Sequence, residues 1–201
     1  MMPGSITPGG FDVSRETMAD LETYVDLLKS WNAKINLVSS DTISEIWDRH
    51  ICDCLQLFDL APRNSEHWVD LGTGGGLPGL VLAIAAKRID GPKFSLVDSD
   101  ARKLVFVSNV IRVLGLQAKT IQGRINDLPC IGADIVTARA LAPLGKLLAF
   151  AEHHRKPDGL CFFLKGENAD RELKPLRTAI SRTDRSLSRT SRWAAFRRKF
   201  R

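Results

Sequence analysis

Asp70-Leu71-Gly72-Thr73-Gly74-Gly75-Gly76-Leu77-Pro78-Gly79 is the stretch that decides the fold. Five of its last eight residues are glycine. It follows a short apolar run, His67-Trp-Val-Asp-Leu71, which reads as a strand. Behind it, residues 80–86 are apolar enough for a buried helix, and Pro78 suits a first helical turn because its φ is already fixed. Strand, glycine turn and helix in that order form the context of a nucleotide-binding loop. Glycine supplies positive φ and lets backbone approach a ligand closely.

Downstream, strands and helices alternate. Residues 93–97 read as a second strand closed by Asp98. A helix over 101–114 stops at Gly115, a left-handed cap. Short strands follow at 119–122 and 134–137, then a helix at 144–154 and a strand at 160–164. This alternation implies βαβ units, a mostly parallel sheet and helices on both faces. Upstream the pattern is helical. Ser14 caps a helix in which Met18, Leu21, Val25 and Leu28 recur at helical spacing up to Trp31. Residues 32–38 form a connection, and a second helix is expected over 42–58. Residues 1–11, rich in Gly and Pro, are expected to fray. The expected organisation is an N-terminal helical extension (1–62), a Rossmann-like core (63–166) and a basic C-terminal segment (167–201).

Composition excludes several classes. The chain has 201 residues, 44% hydrophobic and 26% charged, as in ordinary globular proteins. No apolar run approaches the roughly 18 residues of a membrane span, and residues 1–10 lack a signal-peptide pattern. A cytoplasmic protein is expected. Cys52, Cys54, Cys130 and Cys161 match no zinc or CxxC spacing and read as reduced, mostly buried thiols. No metal is expected. The net charge of +6 is uneven. Residues 166–201 hold 11 Lys and Arg against 4 Asp and Glu, a balance of +7, so the remainder sums to −1. A basic segment suits a polyanion such as RNA, although a solvated tail has the same composition.

Two registers of the glycine stretch compete. Gly74-x-Gly76-x-x-Gly79 satisfies the dinucleotide fingerprint, which alone is weak. Asp70-x-Gly72-x-Gly74-x-Gly76 satisfies the acidic-x-GxGxG pattern of class I methyltransferases. Their donor, S-adenosyl-L-methionine, carries a sulfonium and an ammonium but no pyrophosphate. A carboxylate at Asp70 attracts such a cation and repels a pyrophosphate. Asp98 does not discriminate, since a carboxylate there accepts from ribose hydroxyls in either class. A dehydrogenase would also need a catalytic Tyr-Lys pair, and the sole tyrosine, Tyr24, lies in the first helix. An NAD-dependent oxidoreductase and a non-catalytic RNA-binding protein with this fold remain the alternatives.

Longer motifs narrow the choice. The stretch Val69-Asp-Leu-Gly-Thr-Gly-Gly-Gly-Leu-Pro-Gly-Leu80, with Leu96-Val-Asp-Ser99 and Thr137-Ala-Arg-Ala-Leu-Ala-Pro-Leu144, resembles the bacterial 16S rRNA guanine-N7 methyltransferases, once called glucose-inhibited division protein B. Leu28-Lys-Ser-Trp-Asn-Ala-Lys-Ile-Asn-Leu-Val38 and Asp48-Arg-His-Ile51 extend the likeness over residues 20–166. The resemblance implies a Rossmann-like class I methyltransferase that uses S-adenosyl-L-methionine. It implies methylation of N7 of guanine 527, in the 530 loop of 16S rRNA, on a small-subunit substrate. It implies that Gly72 and Leu77 line the cofactor site, beside Gly74, Gly76 and Asp98 already read from the glycine register and the second strand, that Ile125 and Asn126 frame the adenine, and that Arg139 lies beside cofactor and substrate. Asn36 and His50 are expected to face the cleft, and Lys165 to meet an RNA phosphate. The family usually continues past Lys165 with a helix and an antiparallel edge. Here residues 167–177 suit the helix, but 181–192 are polar and turn-like, so the last strands are expected to be shortened or absent. A monomer is expected.

Guanine N7 has a free lone pair, so methyl transfer to it needs no general base. No residue is expected to act as nucleophile, and catalysis should rest on orientation in a shaped, partly dry site.

Overall fold

The computed structural model describes residues 5–7, 10–89, 91–166, 171–172 and 193–197. Its centre is a six-stranded sheet built from β3 (His67–Leu71), β4 (Lys93–Asp98), β5 (Ala118–Gln122), β6 (Ala133–Arg139), β7 (Arg155–Lys165) and β8 (Trp193–Arg197). The order is β5-β4-β3-β6-β7-β8, and every neighbouring pair is parallel. The order runs outward in both directions from β3. That strand therefore borders the switch point where open α/β sheets hold ligands.

Side-chain alternation along the strands builds two cores. Trp68, Phe94, Leu96, Ile135 and Phe162 face α1 (Arg15–Asn32), α2 (Asp53–Leu60), α3 (Gly79–Ala86) and α4 (Ala101–Leu114). Val69, Leu71, Val97, Val136, Ala138 and Phe163 face α5 (Leu144–His154). Strands buried on both faces need no polar side, hence their near-continuous apolar sequence. α1 and α2 lie over α3 rather than on the sheet's open edge, so the N-terminal extension shares the larger core. Ser14 caps α1 by accepting from the Thr17 N–H at 3.1 Å. Gly115 ends α4 at φ +61°.

Three expectations need correction. Residues 5–6 and 12–13 pair as a small antiparallel hairpin, β1 (Ser5–Ile6) with β2 (Asp12–Val13), where fraying was expected. The Thr7 hydroxyl accepts from the Phe11 N–H at 3.0 Å and closes the turn, while Phe11 and Val13 pack on the core. The helix expected over 42–58 is broken into a 3₁₀ turn (Ser40–Thr42), a π turn (Trp47–Cys52) and α2. The Thr42 hydroxyl and N–H both return to the Ser39 carbonyl, which favours a tight local turn over helix continuation. Past β7, among the described residues, the sheet holds one five-residue strand, β8, from the run Trp193-Ala-Ala-Phe-Arg197; a shortened edge was expected, but β8 is parallel to β7 where the family resemblance implied an antiparallel edge. Residues 181–192, and most of the expected helix over 167–177, lie outside the described residues.

Gly79 holds α3 against the sheet. A Cβ there would lie 2.2 Å from Leu96 Cδ2 and 2.8 Å from Asp70 Oδ2. Gly79→Ala is expected to destabilise the fold by about 2 kcal/mol through overpacking, read as a lower urea midpoint with an unchanged denaturant slope.

Candidate cofactor and RNA site

The glycine turn is shaped by two carboxylates. Asp70 is the penultimate residue of β3 and is 1% exposed. Its Oδ2 accepts from the Gly79 N–H at 3.1 Å, and its Oδ1 accepts from the Thr137 hydroxyl at 2.9 Å. One buried side chain therefore joins the end of β3, the start of α3 and the middle of β6. Burial pushes its pKa up to about 6, opposed by the donors from Thr73, Thr137 and Gly79. Asp70 was expected to draw the sulfonium end of the cofactor. Its two oxygens are instead turned into the protein, so any pull on that cation acts through space and not by contact.

Asp98, at the end of β4, reaches across to the turn. Its Oδ2 accepts from the Gly74 N–H at 2.9 Å, and its Oδ1 from the Asp100 N–H at 2.9 Å. Between these anchors Gly72, Gly74 and Gly76 adopt φ of +68°, +54° and +89°, a region that side-chain-bearing residues rarely visit. Leu141 covers Gly72, where a Cβ would sit 2.5 Å from its Cδ1. A Cβ on Gly74 would meet nothing nearer than the Gly72 carbonyl at 3.9 Å, so that side of the turn is open. Leu77 is buried, and its N–H is spent on the Thr73 carbonyl.

The helical extension closes on the same turn. The Tyr24 hydroxyl donates to the Gly75 carbonyl at 2.7 Å, and Leu37 lies against Gly75. Asn32 Oδ1 accepts from the N–H groups of both Leu37 and Val38, which fixes the loop that carries Asn36, itself exposed. After β5, Ile125–Asp127 form a 3₁₀ turn. Ile125 packs in the core on the α5 side, and Asn126 is exposed. The fully buried His154 donates from Nε2 to the Ile125 carbonyl at 3.0 Å. Arg139 ends β6. Its guanidinium turns into the extension, where Nη2 donates to the Arg49 carbonyl at 2.8 Å and to His50 Nδ1 at 2.6 Å. His50 is thus held with Nδ1 as acceptor and Nε2, 2.8 Å from the Thr42 hydroxyl, as donor. Ala140 beside it has φ +50°, a strained conformation of the kind found next to working sites. Lys165 is directed inward to the Ala142 carbonyl at 3.0 Å and to Glu172 at 3.0 Å, with 10% of its side chain exposed.

The structure therefore gathers Gly72, Gly74, Gly76, Asp98, Ile125, Asn126 and Arg139 at the carboxyl ends of four adjacent strands. His50 joins them through Arg139, and Lys165 sits one strand further out. Tyr24, Thr137 and His154 escaped the sequence reading. Only Tyr24 left a signal, as the one hydroxyl-bearing aromatic on the apolar stripe of α1. Cys54 and Cys161 are buried, and burial pushes each thiol up to about 12, which makes them inert at neutral pH. Cys130, expected with the buried set, is exposed, because it lies in the turn leading to β6. Among the described residues no group of three or more His, Cys, Asp or Glu could hold a metal, and no helix is long and apolar enough to cross a membrane.

This sheet order, with a glycine turn after its central strand and a carboxylate after the next, is the fold of the class I methyltransferases. A solved structure from Methanococcus maripaludis, described as an S-adenosyl-L-methionine-dependent methyltransferase, shares that fold at a TM-score of 0.52 and 11% identity, over 86% of this chain and 74% of that one. The chain belongs to the rRNA small subunit methyltransferase G family, whose model matches residues 17–199. Ribosomal RNA small subunit methyltransferase G of Paramagnetospirillum magneticum is 48% identical over 161 residues, 80% of this chain and 77% of that protein. Its counterpart in Cereibacter sphaeroides is 46% identical over 167 residues, 83% of this chain and 80% of that protein.

The raised Asp70 pKa has a pH signature. The folded value, about 6, exceeds the unfolded carboxylate value near 4. Folding therefore favours the protonated form. Stability from this group is complete below about pH 4 and is lost as pH rises to about 6. Over that window wild type is expected to lose up to about 3 kcal/mol relative to Asp70→Asn, measured by urea unfolding of both proteins from pH 4 to 7.

Proposed function

We propose that this protein methylates N7 of guanine 527 of 16S rRNA, as a cytoplasmic monomer using S-adenosyl-L-methionine. The observation that carries the reading is the open glycine turn at the switch point, held by Asp98, in a chain of the rRNA small subunit methyltransferase G family.

The residues present fit that cofactor. Gly74 leaves open space where a side chain would stand, and Gly72 gives its own space to Leu141. Asp98 spends one acceptor of each oxygen on backbone N–H groups and keeps lone pairs for ribose hydroxyls. The exposed Asn126 offers an amide to an adenine amino group, and Ile125 an apolar wall. The cofactor supplies an electrophilic methyl group on a sulfonium. Arg139, His50 and Asn36 edge the cleft on the side of the helical extension, where the guanine enters. Arg139 is held by two bonds through Nη2 and by a third from Nη1 to Cys54 Sγ at 3.8 Å, and its remaining N–H groups orient substrate while it is anchored. The buried thiols of Cys54 and Cys161 are not nucleophiles at neutral pH, in keeping with a mechanism that needs none.

The test is methyl transfer from labelled S-adenosyl-L-methionine to 30S subunits and to naked 16S rRNA, with the modified base mapped by mass spectrometry. One N7-methylguanine at position 527 is expected on one of the two substrates. Cofactor binding with no product on either would leave the RNA-binding reading instead. S-adenosylhomocysteine at 100 times its dissociation constant should stabilise the protein by about 2.7 kcal/mol, and NAD should not. Cys130→Ala is expected to keep at least half of the wild-type rate. Complete loss of activity with retained cofactor binding would restore a covalent mechanism.

A further inference from the structure

A cavity of about 950 Å³ opens at the amino ends of β3, β4 and β5. β4 separates it from Asp98 by five residue steps, about 17 Å, so it is distinct from the methyl-transfer end. Its lining includes Arg63, Lys93, Lys119, Glu66, His67 and Ser95. Ser95 is fully buried, with its hydroxyl 2.9 Å from His67 Nε2, which gives the cavity a polar floor.

The charge of the wall is one-sided. Arg63, Lys93 and Lys119 are exposed and form no ion pair among the described residues. Among the described lining residues Glu66 is the one acid. Asp134, the carboxylate on the next strand, is committed elsewhere. Its Oδ2 accepts from the N–H groups of Glu66 and His67, and its Oδ1 pairs with Lys156 at 2.7 Å. The imidazole of His67 senses the result. Burial first, then Lys119, Lys156 and Lys93, hold its pKa below the usual value, against Asp134.

The backbone donors of this rim are already used. Lys93 N–H goes to the Glu66 carbonyl, Phe94 N–H to Gln117, and Ala118 N–H to Leu116. A caged phosphate is normally met by converging N–H groups. Cations on flexible stems around an open mouth, with no such nest, suit a polyanion that passes over the rim.

We propose that this cavity is a second RNA-binding site, in which Arg63, Lys93 and Lys119 hold phosphodiesters of the substrate RNA at the end of the sheet opposite the site of methyl transfer. The inference rests on the reading of small-subunit rRNA as substrate. Such contacts fix register and orientation and carry no sequence information.

The test uses the full chain with Lys93→Ala and Lys119→Ala combined, and 16S rRNA as probe in filter binding over a salt series. Affinity at about 0.1 M salt should fall roughly tenfold, and the log–log salt slope should shrink by about 1.5. S-adenosylhomocysteine affinity by calorimetry should be unchanged. The charge-preserving pair Lys93→Arg and Lys119→Arg should bind RNA like wild type, which separates lost charge from a damaged fold. Wild-type affinity and slope in the double alanine variant would remove this site and leave the proposed function standing. A wild-type protein that binds neither naked 16S rRNA nor 30S subunits would remove both. Protection of Lys93 and Lys119 from acetylation by inorganic phosphate alone, and not by RNA, would make the cavity a small-anion site and overturn the proposal.

Discussion

The buried carboxylate of Asp70 is the constraint on which the rest of the site depends. Removing a charge from water is costly unless hydrogen bonds replace hydration. Here the Gly79 N–H and the Thr137 hydroxyl supply them. Those donors belong to the first turn of α3 and to β6, so satisfying the carboxylate fixes the distance between β3, its following helix and the neighbouring strand. The intervening turn has to close between Asp70 and Gly79. Positive φ at Gly72, Gly74 and Gly76 is how it closes. Asp98 then sets the height of the turn above β4 through the Gly74 N–H. Two acidic side chains on adjacent strands thus determine one backbone surface.

The helical extension is part of this site as well as a cover for it. Tyr24 caps the Gly75 carbonyl from α1, and Asn32 locks the loop that presents Asn36. The π turn at Trp47–Cys52 presents the Arg49 carbonyl and His50 Nδ1 to the guanidinium of Arg139. Single extra-wide turns of this kind recur at functional sites because they re-aim a few groups without ending a helix. Arg139 therefore couples the end of β6 to the extension, and its planar fork can hold that anchor and still offer donors outward. The strained backbone at Ala140 accompanies this placement.

The two ends of the sheet differ in electrostatic character. Carboxylates of Asp70 and Asp98 stand at the carboxyl ends of their strands, where a cationic cofactor is favoured. Exposed Arg63, Lys93 and Lys119 stand at the amino ends, where phosphates are favoured. Arg139 and Lys165 end β6 and β7 at the same edge as the two carboxylates, so the carboxyl end is mixed in sign and the amino-end rim is the more uniformly cationic.

Local sequence determined the elements whose signals are local. Glycines after an apolar strand, Ser14 before a helix and Gly115 after one each act within a few residues, so β3, α1 and α4 were legible within a residue or two. The alternation of strands and helices determined the parallel sheet, because a crossover helix returns a strand in the same direction. The sequence also placed Gly72, Gly74, Gly76 and Asp98 together, as a turn after one strand and a carboxylate closing the next. Tertiary structure alone decided that Asp70 faces inward, that Lys165 pairs with Glu172, and that Tyr24, Thr137 and His154 support the site. It alone decided that the π turn presents the Arg49 carbonyl and His50 to Arg139, and that Trp193–Arg197 joins the sheet. Tyr24, Thr137, Arg139 and His154 each meet a partner 29 to 90 residues away, and Lys165 meets Glu172 seven residues on, across the end of β7. Periodicity and capping cannot report a hydrogen bond that exists only once distant parts of the chain have packed together.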